Sequence, residues 1–188
     1  MIDSEVIRAA AVIKSGGIIL YPTDTIWGLG CDATNPESVR NIYKIKHRAD
    51  RKSMLVLVND ISMLEEYLVA VPRLALDIIK RAKKPSTIIF PGARNLADNL
   101  VAPDGSIGIR LTSDSFCKKL IKTTGLPIVS TSANITGEKS PATFHKIHTS
   151  IREQVDYMVK WRQDDITPGI PSAIIKLERD GTITTLRP

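Results

Sequence analysis

Three short stretches carry residue types that can grip a polar, charged substrate. In the first, an apolar run breaks at Tyr21-Pro22-Thr23-Asp24-Thr25 into hydroxyls and a carboxylate, followed by Ile26-Trp27-Gly28-Leu29-Gly30. A proline turn with side-chain capping accounts for Thr23 and Asp24. It does not account for the close pair of glycines, which suit backbone that must approach another group closely. The second stretch packs Lys44, Lys46, Arg48, Arg51 and Lys52 into nine positions. Cations at the exit of a helix complement its negative pole with no ligand present, and under that reading Lys46 and Arg48 are exposed helix-end residues. A lysine point charge beside a forked guanidinium is also what a triphosphate requires, and the density of charge favours that alternative. The third stretch is Ser130-Thr131-Ser132-Ala133-Asn134, followed by Gly137 and Ser140-Pro141. Hydroxyls and exposed backbone N–H groups ahead of a helix form an anion site, whereas a capping turn needs only one such side chain. Arg110, inside the apolar run Ile107-Gly108-Ile109-Arg110-Leu111, must either point to solvent, as alternation permits, or meet a buried anion.

Other chemistries find no support. His47, His145 and His148 do not pair with Cys31 and Cys117, or with each other, at zinc-ligand spacing, so surface or capping roles are expected of them. No Walker A pattern, dinucleotide glycine fingerprint, nucleophile elbow or paired-carboxylate motif is present. The chain has 188 residues, 43% hydrophobic and 24% charged, which suits one domain over residues 1–188. Two cysteines are too few for a disulfide framework and point to a reducing compartment, the cytoplasm. Asp3 and Glu5 stand where a secretory signal is basic, and no apolar run reaches membrane-spanning length. The net charge of +6 and a pI of about 9.4 imply an anionic partner, a polyphosphate nucleotide or RNA.

The elements that must position these loops follow from periodicity and punctuation. Ser4 is expected to cap a helix ending at Ser15-Gly16-Gly17, with a buried strand from Gly17 to Tyr21. Asn35-Pro36 opens a second helix that runs into the basic stretch. Strands are predicted at 54–58, 87–90, 107–111 and 127–129, and helices at 60–67, 72–82, 114–123 and from Thr143 onward. Residues 95–105 read as loop, and 173–178 and 182–186 as a hairpin about a two-residue Asp180-Gly181 turn. Interleaved strands and helices with a terminal hairpin predict an α/β fold on a mixed, twisted sheet, whose ligands gather beyond strand ends.

Taken together and in this order, the Tyr-Pro-Thr-Asp-Thr loop, Lys46-x-Arg48 and Ser132-x-Asn134 resemble the YrdC family over about residues 17–187, in particular its short threonylcarbamoyl-AMP synthases of the TsaC type. The resemblance implies a YrdC-like single domain whose twisted mixed sheet, flanked by helices, curves around a large basic cavity. It implies that Thr25, Arg110, Ser130 and Ser172 contact threonine, with the carboxylate on Arg110, and that Lys46 and Arg48 are catalytic. ATP would lie against Lys46, Arg48, Lys52, Ser106, Ser132, Asn134, Ser140 and Arg187. Magnesium would ride on the ATP phosphates, with no protein metal ligands. The implied reaction joins L-threonine, bicarbonate and ATP into threonylcarbamoyl-AMP and pyrophosphate, towards threonylcarbamoyladenosine in tRNA, with tRNA or a tRNA-modification assembly as partner and no membrane. Two rivals stand beside it: a non-catalytic RNA-binding module and a carbamoyl-transfer domain. The chain departs from the family pattern at Asp24 (commonly Glu), Ser53 (frequently Pro), Leu57 (His in some relatives), Lys83-Lys84-Pro85-Ser86-Thr87 (a Trp-Pro-Gly-Pro stretch) and Ala173 (Thr).

Overall fold

The computed structural model describes residues 1–47 and 54–188. In chain order these form α1 (Ile2–Lys14), β1 (Ile19–Tyr21), β2 (Gly28–Gly30), α2 (Pro36–Ile45), β3 (Leu55–Val58), α3 (Ile61–Glu66), α4 (Arg73–Arg81), β4 (Ser86–Phe90), β5 (Ile107–Leu111), α5 (Ser115–Thr124), β6 (Ile128–Ser132), α6 (Thr149–Arg152), β7 (Tyr157–Met158), β8 (Ala173–Leu177) and β9 (Ile183–Arg187). The described strands make one mixed sheet in the order β7-β1-β2-β6-β3-β5-β4-β8-β9. Pairs β1/β7, β3/β5 and β4/β8 are parallel and the others antiparallel. No described helix is long and apolar enough to cross a membrane.

Strand alternation divides the sheet into two unlike faces. Val56, Val58, Ile88, Ile109 and Val129 pack with Val39 and Ile42 of α2 and Leu64 of α3. Ile19, Tyr21, Leu57 and Ile128 point the other way, against Val6 and Ile13 of α1 and Phe116 and Leu120 of α5. Across that second face the register sets Leu57 beside Arg110, Leu55 beside Ser130, Gly28 beside Ser132 and Gly108 beside Ile89. The face therefore changes from large apolar side chains under α1 and α5 to small, polar and cationic ones, and a hollow forms where the bulk stops.

Several expectations change against this structure. Ser4 lies inside α1, which starts at Ile2, and its hydroxyl donates to Met1 O at 2.8 Å. Gly28-Leu29-Gly30, expected as loop, is strand β2, and the third stretch is strand as far as Ser132 rather than turn. Thr143 opens only a one-turn 3₁₀ segment, Phe144–Lys146, before the four-residue α6. The terminal hairpin closes with Glu178 N to Thr182 O at 2.9 Å, a three-residue loop with Gly181 at φ 86°, as a left-handed glycine in such a loop allows. The caps Asn35, Asp60 and Asp114 accept helix N–H groups, and Gly125 ends α5 at φ 71°.

The chain after α6 ties the first helix and the first loop to the sheet. Asp156 accepts from Ile18 N at 2.7 Å, and buried Glu5 accepts from Tyr157 OH at 2.9 Å and Lys160 N at 2.6 Å. Gly30 makes room for the Tyr21 ring, since a Cβ there would lie 2.6 Å from Tyr21 Cε1. Gly30→Ala is expected to destabilise the protein by about 1–3 kcal/mol through this overpacking. A lower urea midpoint at unchanged slope is the reading that checks it.

Candidate active site

The hollow on the second face has a volume of about 300 Å³. It brings together seven of the predicted site residues: Thr25, Arg110, Ser130, Ser132, Ser140, Ser172 and Arg187. Gly28 and Gly108 form part of its floor, so the Gly28 backbone meets the hollow while its neighbour Gly30 meets a ring. Thr131, from the third stretch, also lines it, as does Thr87, which sequence reasoning missed as a site residue. A threonine in a strand is ordinary; only the pairing of β4 with β5 and β8 turns Thr87 to this face.

Arg110 is 2% exposed, so it meets a buried anion rather than solvent. Its Nη2 lies 3.1 Å from Asp24 Oδ1. The contact compensates charge without hydrogen-bond alignment: Arg110 Nε, Arg110 Nη2 and Asp24 Oδ1 are all buried with no hydrogen-bond partner among the described residues. Arg110 lines the hollow, and two N–H groups of its fixed fork are left without aligned acceptors, the donor set that a carboxylate takes up.

The loop that carries Asp24 is held by its own hydroxyls. Thr23 Oγ1 donates to Ile26 O at 2.8 Å and accepts from Thr25 N at 3.1 Å. With that hydrogen committed, the 2.9 Å contact between the two hydroxyls makes Thr25 the donor and leaves its oxygen able to accept from a ligand. Arg162 donates to Thr23 O at 3.4 Å and pairs with Asp114, while Gly169 lies so close to the Thr25 carbonyl that a Cβ would fall 2.2 Å from it. Across the hollow the hydroxyls of Thr87 and Ser172 meet at 2.9 Å, and Arg187 Nε donates to Ser172 O at 2.7 Å. Burial first, and then the charge of Arg110, lower the Arg187 guanidinium from its ordinary value. The two guanidiniums share one field, which suits anions.

Lys46 overturns the exposed helix-end reading. It is 2% exposed, and its Nζ donates to Ser132 O at 2.5 Å and Asn134 O at 2.7 Å. It braces the end of β6 and does not line the hollow. Asn134 also serves the turn, donating from Nδ2 to Ile135 O and Glu138 O at 2.9 Å each. Ser106 opens on a different hollow beside Lys176 and Arg179, where its hydroxyl donates to Asp104 at 2.6 Å. Arg48, Lys52 and the departure at Ser53 lie outside the described residues. His148 caps α6. Burial, then the charges of Asp114 and Asp24, push the Cys117 thiol well up, and burial does the same to Cys31, so neither offers a thiolate nucleophile.

The Sua5/YciO/YrdC family model, described as telomere recombination, matches residues 11–188. The chain belongs to this family. A putative threonylcarbamoyl-AMP synthase from Methanocaldococcus jannaschii is 35% identical over 92% of this chain and 80% of its own length. A threonylcarbamoyl-AMP synthase from Pseudoalteromonas translucida is 30% identical, covering 85% and 87%. The solved structure of P. abyssi Sua5 complexed with L-threonine superposes with a TM-score of 0.86 at 24% identity, over all of this chain and 54% of that one. This chain thus spans about half the length of that Sua5, and the likeness establishes the shared fold.

Lys46→Met is expected to cost about 1–3 kcal/mol, because it strips the donor from two carbonyls on which β6 and its turn depend. Thermal unfolding of the variant against the parent checks this; an unchanged melting temperature contradicts the brace.

Proposed function

We propose that the chain is a nucleotidyltransferase that makes threonylcarbamoyl-AMP and pyrophosphate from L-threonine, bicarbonate and the magnesium salt of ATP, in the cytoplasm, for threonylcarbamoyladenosine synthesis on tRNA. One observation carries the reading: a buried guanidinium, Arg110, whose hydrogen bonding is incompletely satisfied, lines a hollow together with the hydroxyls of Thr25, Thr87, Ser130, Ser132 and Ser172. That arrangement suits the carboxylate of a small polar amino acid, and the relatives named above are a threonylcarbamoyl-AMP synthase and a putative one.

In this reading the threonine carboxylate lies on Arg110, and Thr25, Ser130 and Ser172 accept from or donate to its amine and hydroxyl. The amine and bicarbonate condense to a carbamate with loss of water. A carbamate oxygen then attacks the α-phosphorus of ATP, the bond from that phosphorus to the bridging oxygen breaks, and pyrophosphate leaves. No covalent bond to the protein is required. The protein supplies position and preorganised positive charge, which are the main resources for such a transfer. Ser132, Ser140 and Arg187 line the side where the nucleotide would lie, with Arg48 and Lys52 as further phosphate ligands. Lys46 contributes by holding the Ser132 and Asn134 backbone. The described wall of the hollow carries guanidinium and hydroxyl groups and no carboxylate, a donor set suited to phosphate oxygens; magnesium would arrive as part of the substrate.

Pyrophosphate release is expected to require ATP, threonine and bicarbonate together, each omission abolishing it. Arg110→Gln is expected to raise the KM for threonine far more than that for ATP. Release without threonine, or RNA binding with no release at all, contradicts the synthase reading. A second check uses 2-aminobutyrate, which lacks the threonine hydroxyl. Its kcat/KM is expected to fall by on the order of a hundredfold or more, because buried hydroxyl partners would be left unpaired.

A further inference from the structure

A second hollow, of about 350 Å³, opens at the carboxyl ends of the parallel strands β3 and β5, where open α/β sheets receive ligands. Asn59, Thr112 and Ser113 line it, together with the exposed Lys83, Lys84 and Lys118. Asp24 is the partition, lining this hollow while pairing with Arg110 of the other.

The charges here are not balanced from within. Asp24 and Asp114 near this hollow already have counter-ions, Arg110 and Arg162 respectively, and Asp60 caps α3. The three lysines have none among the described residues. Residues 73–84 and 115–124 hold eight cations and one carboxylate, a net +7 against +6 for the entire chain. Helix electrostatics does not explain the three: Lys118 is near the amino end of α5, where the dipole opposes a cation, and Lys83 and Lys84 lie beyond the end of α4. Asn59 also lines the hollow, and its side-chain amide carries N–H groups that can donate.

We propose that this hollow is a separate binding site for a phosphate group. The ammonium groups of Lys83, Lys84 and Lys118 neutralise it, and the Ser113 hydroxyl and Asn59 amide donate to its oxygens. Several cations converging without a counter-ion match a doubly charged group better than a carboxylate. Ile79, Ala82, Pro85, Ile109 and Leu111 also line the hollow, while the charge at it, beyond the paired Asp24, comes from the three lysines. The phosphate is either free or part of an RNA backbone. The proposal does not rest on the synthase reading, since none of the residues lining this hollow lines the first, and the two meet at the Asp24–Arg110 pair.

Amide resonances of the full chain, followed while sodium phosphate, sodium pyrophosphate or a short unstructured oligoribonucleotide is added, test it against sodium chloride at matched ionic strength. Saturable shifts at Ser86, Ser113 and Lys118 are expected with at least one phosphate probe. Affinity is expected to weaken roughly tenfold or more in Lys83→Gln/Lys84→Gln/Lys118→Gln, whose threonine-dependent pyrophosphate release stays unchanged. Response to the inorganic ions assigns a free phosphate, and response to the oligoribonucleotide alone assigns an RNA backbone; both uphold the site. Chloride reproducing the shifts, no saturable shift with any probe, or unchanged affinity in the triple variant overturns it. Absence of threonine-dependent release from the parent protein counts against the synthase reading and leaves this result standing.

Discussion

A guanidinium that cannot lose its proton, enclosed at 2% exposure in the middle of a strand, must have a fixed anion beside it, because removing an unpaired charge from water costs several kcal/mol. Asp24 answers that need for Arg110, and the order of the first loop follows from it. The Thr23 hydroxyl shapes the turn, Arg162 ties that turn to the capped start of α5, and Gly169 lets the later chain lie against the Thr25 carbonyl. The ion pair is incompletely hydrogen bonded, and its arginine lines the hollow. One pair of side chains thus orders the first loop and contributes to the wall of the hollow.

The hollow exists because a single sheet face changes character along the strand order. Under α1 and α5 it carries Ile19, Tyr21, Leu57 and Ile128; beyond them the same face carries Gly28, Ser130, Ser132, Gly108, Arg110 and Thr87. Helices pack where side chains are large and apolar, and leave space where they are small. Lys46 keeps the edge of that space in shape from behind, with its charge spent on two carbonyls rather than displayed to solvent. A cation open in the sequence to an exposed helix-end reading is thus, in the fold, buried against the end of β6.

Much of this was legible in advance, for identifiable reasons. The capped helices at Asn35, Asp60 and Asp114 and the strands at 107–111 and 173–177 carry local signals in caps, glycine stops and apolar runs, and these depend on few distant contacts. β2 and β7 escaped because three-residue and two-residue strands have too little sequence to show a period; pairing with β1 creates them. The burial of Lys46 was invisible for a similar reason, since its partners are the carbonyls of residues 132 and 134, more than eighty positions away.

By itself the sequence determined the α/β class, the order of most elements and the three polar stretches, because alternation, capping and turn chemistry act over a few neighbouring residues. Only the tertiary structure decided which hydroxyls share a wall, that Thr87 joins Ser172, that Ser106 belongs to another hollow and that Asp24 is the anion of Arg110. Those outcomes depend on strand register and on charge balance between distant segments, which are settled only when the sheet assembles.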